Sequence, residues 1–365
     1  MFSRDTMQFK TILFKQGDLG YHTYRIPALL NIPGGPIVAF AEGRKNNSQD
    51  HSDIQLVMRR SFDGGETWEP IRILLDYTGI LCRRDSDTGK TTPVRKDRDV
   101  TCGNPCLVYD RETKRLWLAF NLDNLTMWVT YSDDNGSTWA EPRNITSEVF
   151  GNDVDFWRHI AAGPGHGIQT STGRLIIPCD HQFKNDGGYF SMLVVSDDHG
   201  KSWQFGELSE EGMNECEVCE LLDNEIYWNM RSYRRKNLRA VAYSKDDGDS
   251  FTGFVDDEQL IEPVCQGSII RYDHGEHAKE NIVLFSNPAS KTRDHMTIKI
   301  SNDGARKWDK ELLLHEGPAA YSELAYLDNG EICCLYEAGE NHPYETIVFE
   351  KVSWDSLNER AILLQ

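Results

Sequence analysis

With 365 residues, 39% of them hydrophobic and 10% aromatic, only 13 prolines and no low-complexity run, the chain is long and apolar enough for a large core, which excludes a disordered or fibrous protein. Its 58 Asp+Glu against 39 Lys+Arg give a formal net charge of −19, a field that repels nucleic-acid phosphates and anionic membrane surfaces, so neither is expected as a partner. An anionic ligand then needs a local cluster of cations, and arginine, with its fixed fork of donors, is the side chain suited to that.

The N-terminal stretch MFSRDTMQFKTILF is charged and lacks an apolar segment of signal-peptide length, and no run of about 18 apolar residues follows anywhere. A soluble chain is expected, leaning cytoplasmic on its thiols, although an export signal removed beforehand leaves no trace. The nine cysteines, an odd number with Cys333 and Cys334 adjacent, sit in strand-like runs and read as buried thiols. Cys216 and Cys219 have C-x-x-C spacing without a second pair at zinc-ribbon distance, and Cys102 and Cys106 are spaced differently, so no metal site is expected.

Along the chain the segment TYRIPALL carries Arg25 in a strand-like run, and the polar loop of AEGRKNNSQDHSDIQL carries Asp50 and Asp53 just before an apolar strand. Then SFDGGETW (Ser61 to Trp68) introduces a pattern that returns as SDDNGSTW at Ser132, SDDHGKSW at Ser196, SKDDGDSF at Ser244 and SNDGARKW at Ser301, at spacings of 71, 64, 48 and 57 residues. Each copy follows an alternating or continuous apolar run such as Ile54–Met58. In such a turn the Asp carboxylate accepts backbone N–H bonds, the Gly takes a positive φ and the aromatic anchors the hairpin. A motif repeated five times is scaffold, since an active site is needed once.

Helical periodicity is scarce, and short β-rich runs bounded by Gly, Asn, Asp and Pro recur. The class is all-β. Repeats of this length predict a six-bladed β-propeller of four-stranded antiparallel blades, each about 60 residues. It spans 1–365 as a single domain, with residues 1–20 a short lead-in or closing strand. One blade whose turn has lost the motif accounts for five copies rather than six.

Charges inside strand-like segments are costly unless paired or used. Besides Arg25 these are Arg231 in YWNMRSY, Arg293 in FSNPASKTRDHMTIKI and the acids of NECEVCEL, where period two puts Glu215 and Glu217 on one face and Glu220 on the other. The acidic run from Glu207 to Glu217 otherwise reads as a solvated face. Tyr321 enters an apolar strand in GPAAYSELAYL after a Gly-Pro turn. His166 and His181 read as turn or supporting residues, and Phe156 and Trp157 as pocket-facing or core.

Taken together, Tyr24 to Pro27, the five Asp-box-like repeats, the separated arginines, NECEVCEL, GPGHGIQ and GPAAYSELAYL resemble the exo-α-sialidases of bacterial and animal type, from about Tyr24 to about Glu350. The resemblance implies that Arg25, Arg231 and Arg293 hold the substrate carboxylate. It makes Asp50 the acid/base, with Asp53 in its place if the loop register shifts, and Glu215 the base that activates a nucleophilic Tyr321. Arg44 and Asn104 become rim residues contacting sugar hydroxyls. No cofactor is implied. Substrates are sialylated glycoproteins, glycolipids or oligosaccharides, and oligomeric state stays open. A sialoside carries a carboxylate on its anomeric carbon, so a neutral Tyr avoids the repulsion that a carboxylate nucleophile meets there. Two other readings remain: a trans-sialidase with the same triad, and a non-catalytic propeller that binds the sugar through its arginines alone.

Overall fold

The structure, a computed structural model, describes residues 9–75, 80–84, 91–95, 100–151, 157–183 and 187–364. Phe156 lies outside the described residues. The fold is all-β, and among the described residues the only α-helices are Thr146–Phe150 and Trp354–Arg360. No helix there is long and apolar enough to cross a membrane.

The strands follow one another as antiparallel meanders. The first runs through Thr23–Asn31, Ile37–Arg44, Ile54–Ser61 and Arg72–Leu75, and the second through Cys102–Asp110, Arg115–Leu122, Thr126–Ser132 and Arg143–Asn144. Trp157–Ala162, Leu175–Phe183, Tyr189–Ser196 and Gln204–Leu208 form the third; Met213–Glu220, Ile226–Ser232, Leu238–Ser244 and Thr252–Ile261 form the fourth. A fifth starts with Ser268–Arg271, Val283–Pro288 and Asp294–Ser301 and ends in the 17-residue strand Lys310–Tyr326. That long strand serves two sheets. Its start pairs with Asp294–Ser301, whereas Ala319 to Tyr326 pair with Ile332–Ala338, followed by Thr346–Val352 and, from the other end of the chain, Phe9–Lys15. A separate hairpin joins Ile80–Arg84 to Thr91–Arg95.

Strands such as Ile37–Arg44 and Ile332–Ala338 are buried along their whole length, and for that reason their sequences read as continuous rather than alternating apolar runs. The core lies between consecutive meanders: Phe40 and Met58 of the first pack with Leu118 and Phe120 of the second, and Val108 and Trp117 of the second with Ile177 and Val194 of the third. The series ends where it began, with Leu335 and Phe349 packed on Tyr24 and Ala39.

All five repeats fold as the same turn after the third strand of a meander. Ser61 Oγ accepts the Gly65 N–H at 2.8 Å and donates to Asp63 at 2.7 Å, while Asp63 accepts the Thr67 N–H at 2.9 Å; the arrangement recurs at Ser132, Ser196, Ser244 and Ser301. The aromatics that close the turns include the fully buried Trp203 and Trp308, each contributing roughly 2–3 kcal/mol or more by burial. A decayed sixth copy is not the explanation for the count. In the meander that ends at Thr346–Val352 the outer strand is Phe9–Lys15, so no turn joins its third strand to its fourth. The eight cysteines whose side chains are described are all buried and unbridged.

The first strand breaks register at one place in five of the meanders: between Trp157 and His159 in the third and, in four others, between Arg25 and Ala28, Gly103 and Cys106, Met213 and Cys216, and Ala319 and Ser322. Ile26 and Asn104 take φ values of 58° and 55° there. Such breaks re-aim side chains, and these four contain Arg25, Asn104, Glu215 and Tyr321 or stand beside them.

Candidate active site

The re-aimed side chains meet in one cavity of about 210 Å³, whose walls include Arg25, Arg44, Asp50, Asn104, Glu215, Arg231, Arg293 and Tyr321. Tyr321 is at its centre. Its hydroxyl donates to Glu215 Oε1 at 2.5 Å and accepts from Arg231 Nη1 at 3.0 Å, while Arg231 Nη1 also meets Glu215 Oε2 at 2.5 Å. The Arg25 and Arg293 guanidinium carbons lie 4.9 Å and 5.7 Å from the Tyr321 ring centre. Burial, and then the Glu215 charge, push the Tyr321 hydroxyl well above its ordinary range against the pull of Arg231 and Arg25, so the resting side chain is neutral.

The three arginines are not equivalent. Arg25 is clamped by Glu337, Nε to Oε1 at 3.0 Å and Nη2 to Oε2 at 3.2 Å, and the same carboxylate accepts the N–H groups of Ile26 at 2.9 Å and Tyr321 at 3.2 Å. Arg231 pairs with Glu215, and its buried Nε has no hydrogen-bond partner. Arg293 has no carboxylate among the described residues; it reaches the Tyr344 hydroxyl at 2.8 Å and the Val264 carbonyl at 3.3 Å. The arginines therefore form a set largely balanced by acids, with the cationic excess gathered at Arg293 rather than spread over all three.

Asp50 sits in the loop between Ile37–Arg44 and Ile54–Ser61, its side chain 69% exposed, with Oδ1 2.8 Å from Arg44 Nη1 and 3.4 Å from Arg25 Nη1. Burial pushes its carboxyl up, but the Arg44 and Arg25 charges outweigh that and hold it below its ordinary value. Asp53 turns instead toward Lys45, at 3.5 Å, and is not part of the cavity wall. Arg44 is buried rather than on an open rim, fixed by Glu42 at 2.6 Å. Asn104 donates its backbone N–H to Glu42 at 2.9 Å and its side-chain amide to Asn124 at 2.8 Å.

Opposite Asp50 the wall holds His159, Asp180, Tyr189, Asn214 and Tyr233. Asp180 Oδ2 accepts from Asn214 at 2.6 Å and faces His159 Nε2 at 3.3 Å. Burial drives the Asp180 carboxyl up, and burial alone works against a charged His159, yet the Asp180 charge holds that ring above its ordinary value. None of these residues, nor Glu337, stands out when arginines are sought; the rule that found Arg25, a charge inside a strand-like run, applied to acids picks out Glu337 in CLYEAG and Asp180 in IIPCDHQ.

Other expectations need correcting or placing. Glu217 belongs to no solvated face; it is wholly buried behind Glu215. His166 is buried against Glu323. His181 packs among Trp157, Phe183 and Phe190, where burial takes its ring down to about 4. Trp157 packs in that aromatic group and on Phe150, away from the cavity.

The chain is similar to known proteins. A family model described as a BNR repeat-like domain matches residues 35–334. Sialidase-3 of Bos taurus is 30% identical over 93% of this chain and 92% of its own length, and the sialidase of Micromonospora viridifaciens is 32% identical over 90% of this chain and 52% of its own length. The solved structure of Hadza microbial sialidase Hz136 superposes with a TM-score of 0.81 at 28% identity, over 96% of this chain and 69% of that one. Matched across nearly its whole length, the chain belongs to the sialidase family of hydrolases.

Proposed function

We propose that this protein is a retaining exo-α-sialidase, a single six-bladed β-propeller that removes terminal sialic acids from glycoproteins, glycolipids or oligosaccharides. The observation that carries the reading is the convergence of Arg25, Arg231 and Arg293, from three different meanders, on a Tyr321 already hydrogen-bonded to Glu215 at 2.5 Å. The six-bladed form is supported by the six interfaces through which successive meanders pack until the last meets the first.

In this reading the substrate carboxylate displaces Asp50 from Arg25 and bonds to the guanidiniums, with Arg293 supplying the charge that no protein acid neutralises. The Tyr321 oxygen attacks the anomeric carbon as its proton passes to Glu215. The glycosidic C–O bond breaks, and Asp50 gives the departing oxygen a proton. Asp50 then takes a proton from water, whose oxygen attacks the same carbon; the Tyr321–carbon bond breaks, and Glu215 returns the phenolic proton. Two inversions give net retention. Asp50, half outside the pocket wall, is suitably placed to meet both leaving group and water. Asp180 and His159, with Asn214, offer hydrogen bonds to the hydroxyl-bearing part of the sugar, and Asn104 and Asn124 do so on another side.

Release of 4-methylumbelliferone from its α-sialoside, run on wild type and Tyr321→Phe, tests the reading. Turnover by wild type with a loss of 10³-fold or more in kcat for the variant, whose binding of sialic acid persists, is the expected result; the magnitude is an order-of-magnitude figure for removing a nucleophile, roughly 4 kcal/mol. Binding of sialic acid by wild type without release makes the site a recognition module and removes the roles given to Asp50, Glu215 and Tyr321.

A further inference from the structure

Two positions beyond Glu215 and Tyr321, on the same two strands, stand Glu217 and Glu323, both wholly buried. Both stand just past the register breaks that hold Glu215 and Tyr321, where the strand pairing is regular again, and their carboxyls meet. His166 completes a trio: its Nδ1 is 2.5 Å from Glu323 Oε1 and 3.6 Å from Glu217 Oε2, and one donor atom from each of the three lies within 4.8 Å of the others.

Two buried carboxyls with so few partners are costly. Glu217 accepts the Ile269 N–H at 2.8 Å and faces the Gln266 amide at 3.5 Å. Glu323 Oε2 is buried without a well-aligned donor, the polar side chains beside this carboxyl being Glu217 and Ser268. Among the described residues no lysine or arginine forms an ion pair with either acid; only His166 does. Glu323 Oε2 and Glu217 Oε1 both press on Gly165, whose φ is +119°: a Cβ there would stand 2.2 and 2.3 Å from them, so only glycine fits beside the pair. Burial holds both carboxyls well above their ordinary range, and the Glu323 charge adds to this for Glu217.

A cluster of this kind keeps itself neutral either with shared protons or with a cation. His166 also lines a second cavity of about 320 Å³, walled by Tyr109, Ile168, Arg271, Leu324 and Tyr326, which shares no lining residue with the one around Tyr321. Of the three residues, His166 alone lines it. We propose that His166, Glu217 and Glu323 form a binding site for one divalent transition-metal ion, zinc in first place, entered from this second cavity. One imidazole nitrogen and two carboxylates, with water as the fourth ligand, suit zinc or manganese, whereas calcium takes six to eight oxygens. The ion replaces the proton between His166 and Glu323. Tetrahedral zinc holds its ligand atoms about 3.4 Å apart, so the 2.5 Å contact opens by about an ångström while the 3.6 Å one already fits. The bound ion ties the two inner strands to the Gly165–His166 segment and touches no reacting group.

The inference does not rest on the sialidase reading, and its test does not read turnover. The full chain is stripped with dipicolinate, then titrated with zinc, manganese and calcium by calorimetry, with metal content measured by mass spectrometry and thermal unfolding followed alongside. Expected are one equivalent of zinc, a Tm that climbs with zinc concentration, and at least tenfold weaker binding in Glu323→Gln and in His166→Asn. Cobalt in place of zinc gives a d–d spectrum without thiolate charge transfer, separating this site from the eight buried cysteines. Failure of folded wild type to bind zinc or manganese stoichiometrically overturns the proposal, as does a thiolate spectrum or affinity unchanged in both variants; the cluster is then held by shared protons. If Glu323→Gln does not fold, the wild-type titration and His166→Asn decide the matter.

Discussion

Glu337 grips Arg25 with both carboxylate oxygens, at 3.0 and 3.2 Å, from 312 positions further along the chain, and the same oxygens hold the backbone N–H groups of Ile26 and Tyr321. One buried acid thus sets the place of Arg25 and of the strand that bears Tyr321.

Glu337→Gln keeps the shape and removes the charge. Breaking a buried pair from one side costs about 3–5 kcal/mol, so a large fall in Tm is expected. With it should come a fall of about 100-fold in kcat/KM, carried mostly by KM, and partial recovery of Tm when an anionic sialic acid analogue supplies the missing carboxylate. Thermal unfolding with and without the analogue, beside steady-state kinetics, checks this. An unchanged KM means that Arg25 needs no anchor.

Asp50 gives a pH prediction. Arg44 and Arg25 outweigh burial and keep its carboxyl ionised in the empty pocket, yet the proposed mechanism needs its proton. A ligand carboxylate on Arg25 takes away one of the two charges that hold the value down and adds a like charge, so binding raises it and draws in a proton. Affinity for an anionic analogue should therefore strengthen as pH falls, with proton uptake visible as a buffer-dependent heat in calorimetry, and Asp50→Asn should flatten both. Proton uptake that persists in the variant would assign it to another group.

His159 supplies the opposite sign. Despite its burial, Asp180 holds the ring above the unfolded value of about 6.5. Its contribution to stability is accordingly full below that value and lost as pH rises through the folded one. His159→Gln should lower the urea midpoint more at pH 5.5 than at pH 8.5, and Asp180→Asn should bring the ring's NMR titration down. A midpoint difference independent of pH leaves His159 as packing alone.

The Asp boxes are scaffold, and Asp63 shows how to demonstrate it. Bonds from the Thr67 hydroxyl, the Thr67 N–H and Ser61 bring its carboxyl to about 2. A lowered carboxyl stabilises above its unfolded value of about 3.9 and stops doing so as pH falls through about 2. Asp63→Asn should lower Tm at pH 7 and scarcely at pH 2, with kcat/KM at 25 °C within about twofold of wild type. A large loss of turnover in a folded variant would place the turn in the reaction.

What the sequence made legible follows from what repeats and what is costly. The five turns were readable because Ser, Asp and Gly recur at fixed offsets, each with its own hydrogen bond. Arg25 and Arg231 were conspicuous as charges inside strands, whereas Arg293, in a strand-like run of sequence, lies in the loop just before Asp294–Ser301. Glu337 and Asp180 broke the same rule unnoticed, because an acid in an acidic protein attracts less attention than an arginine. Period-two reasoning placed Glu215 and Glu217 together but gave no warning that Glu217 belongs to a deeper, separate cluster with His166 and Glu323. Nor did it reveal the register breaks at Ile26, Asn104, Glu215 and Tyr321, which follow from how inner strands converge and leave no local mark. The missing sixth turn was misread as decay, since pairing between Phe9–Lys15 and Thr346–Val352 is a contact between distant segments.

That same pairing governs the order in which the protein becomes a protein on the ribosome. Phe9–Lys15 emerges long before its partner and must wait, its backbone donors and acceptors open to other strands, until Thr346–Val352 has been made. Arg25, Asp50 and Glu215 are likewise finished long before Tyr321 and Glu337 exist. On the mechanism proposed above, a nascent chain is therefore inert toward sugars, and it is prone to wrong partners for most of its synthesis; one stopped short of Thr346 never closes that pairing.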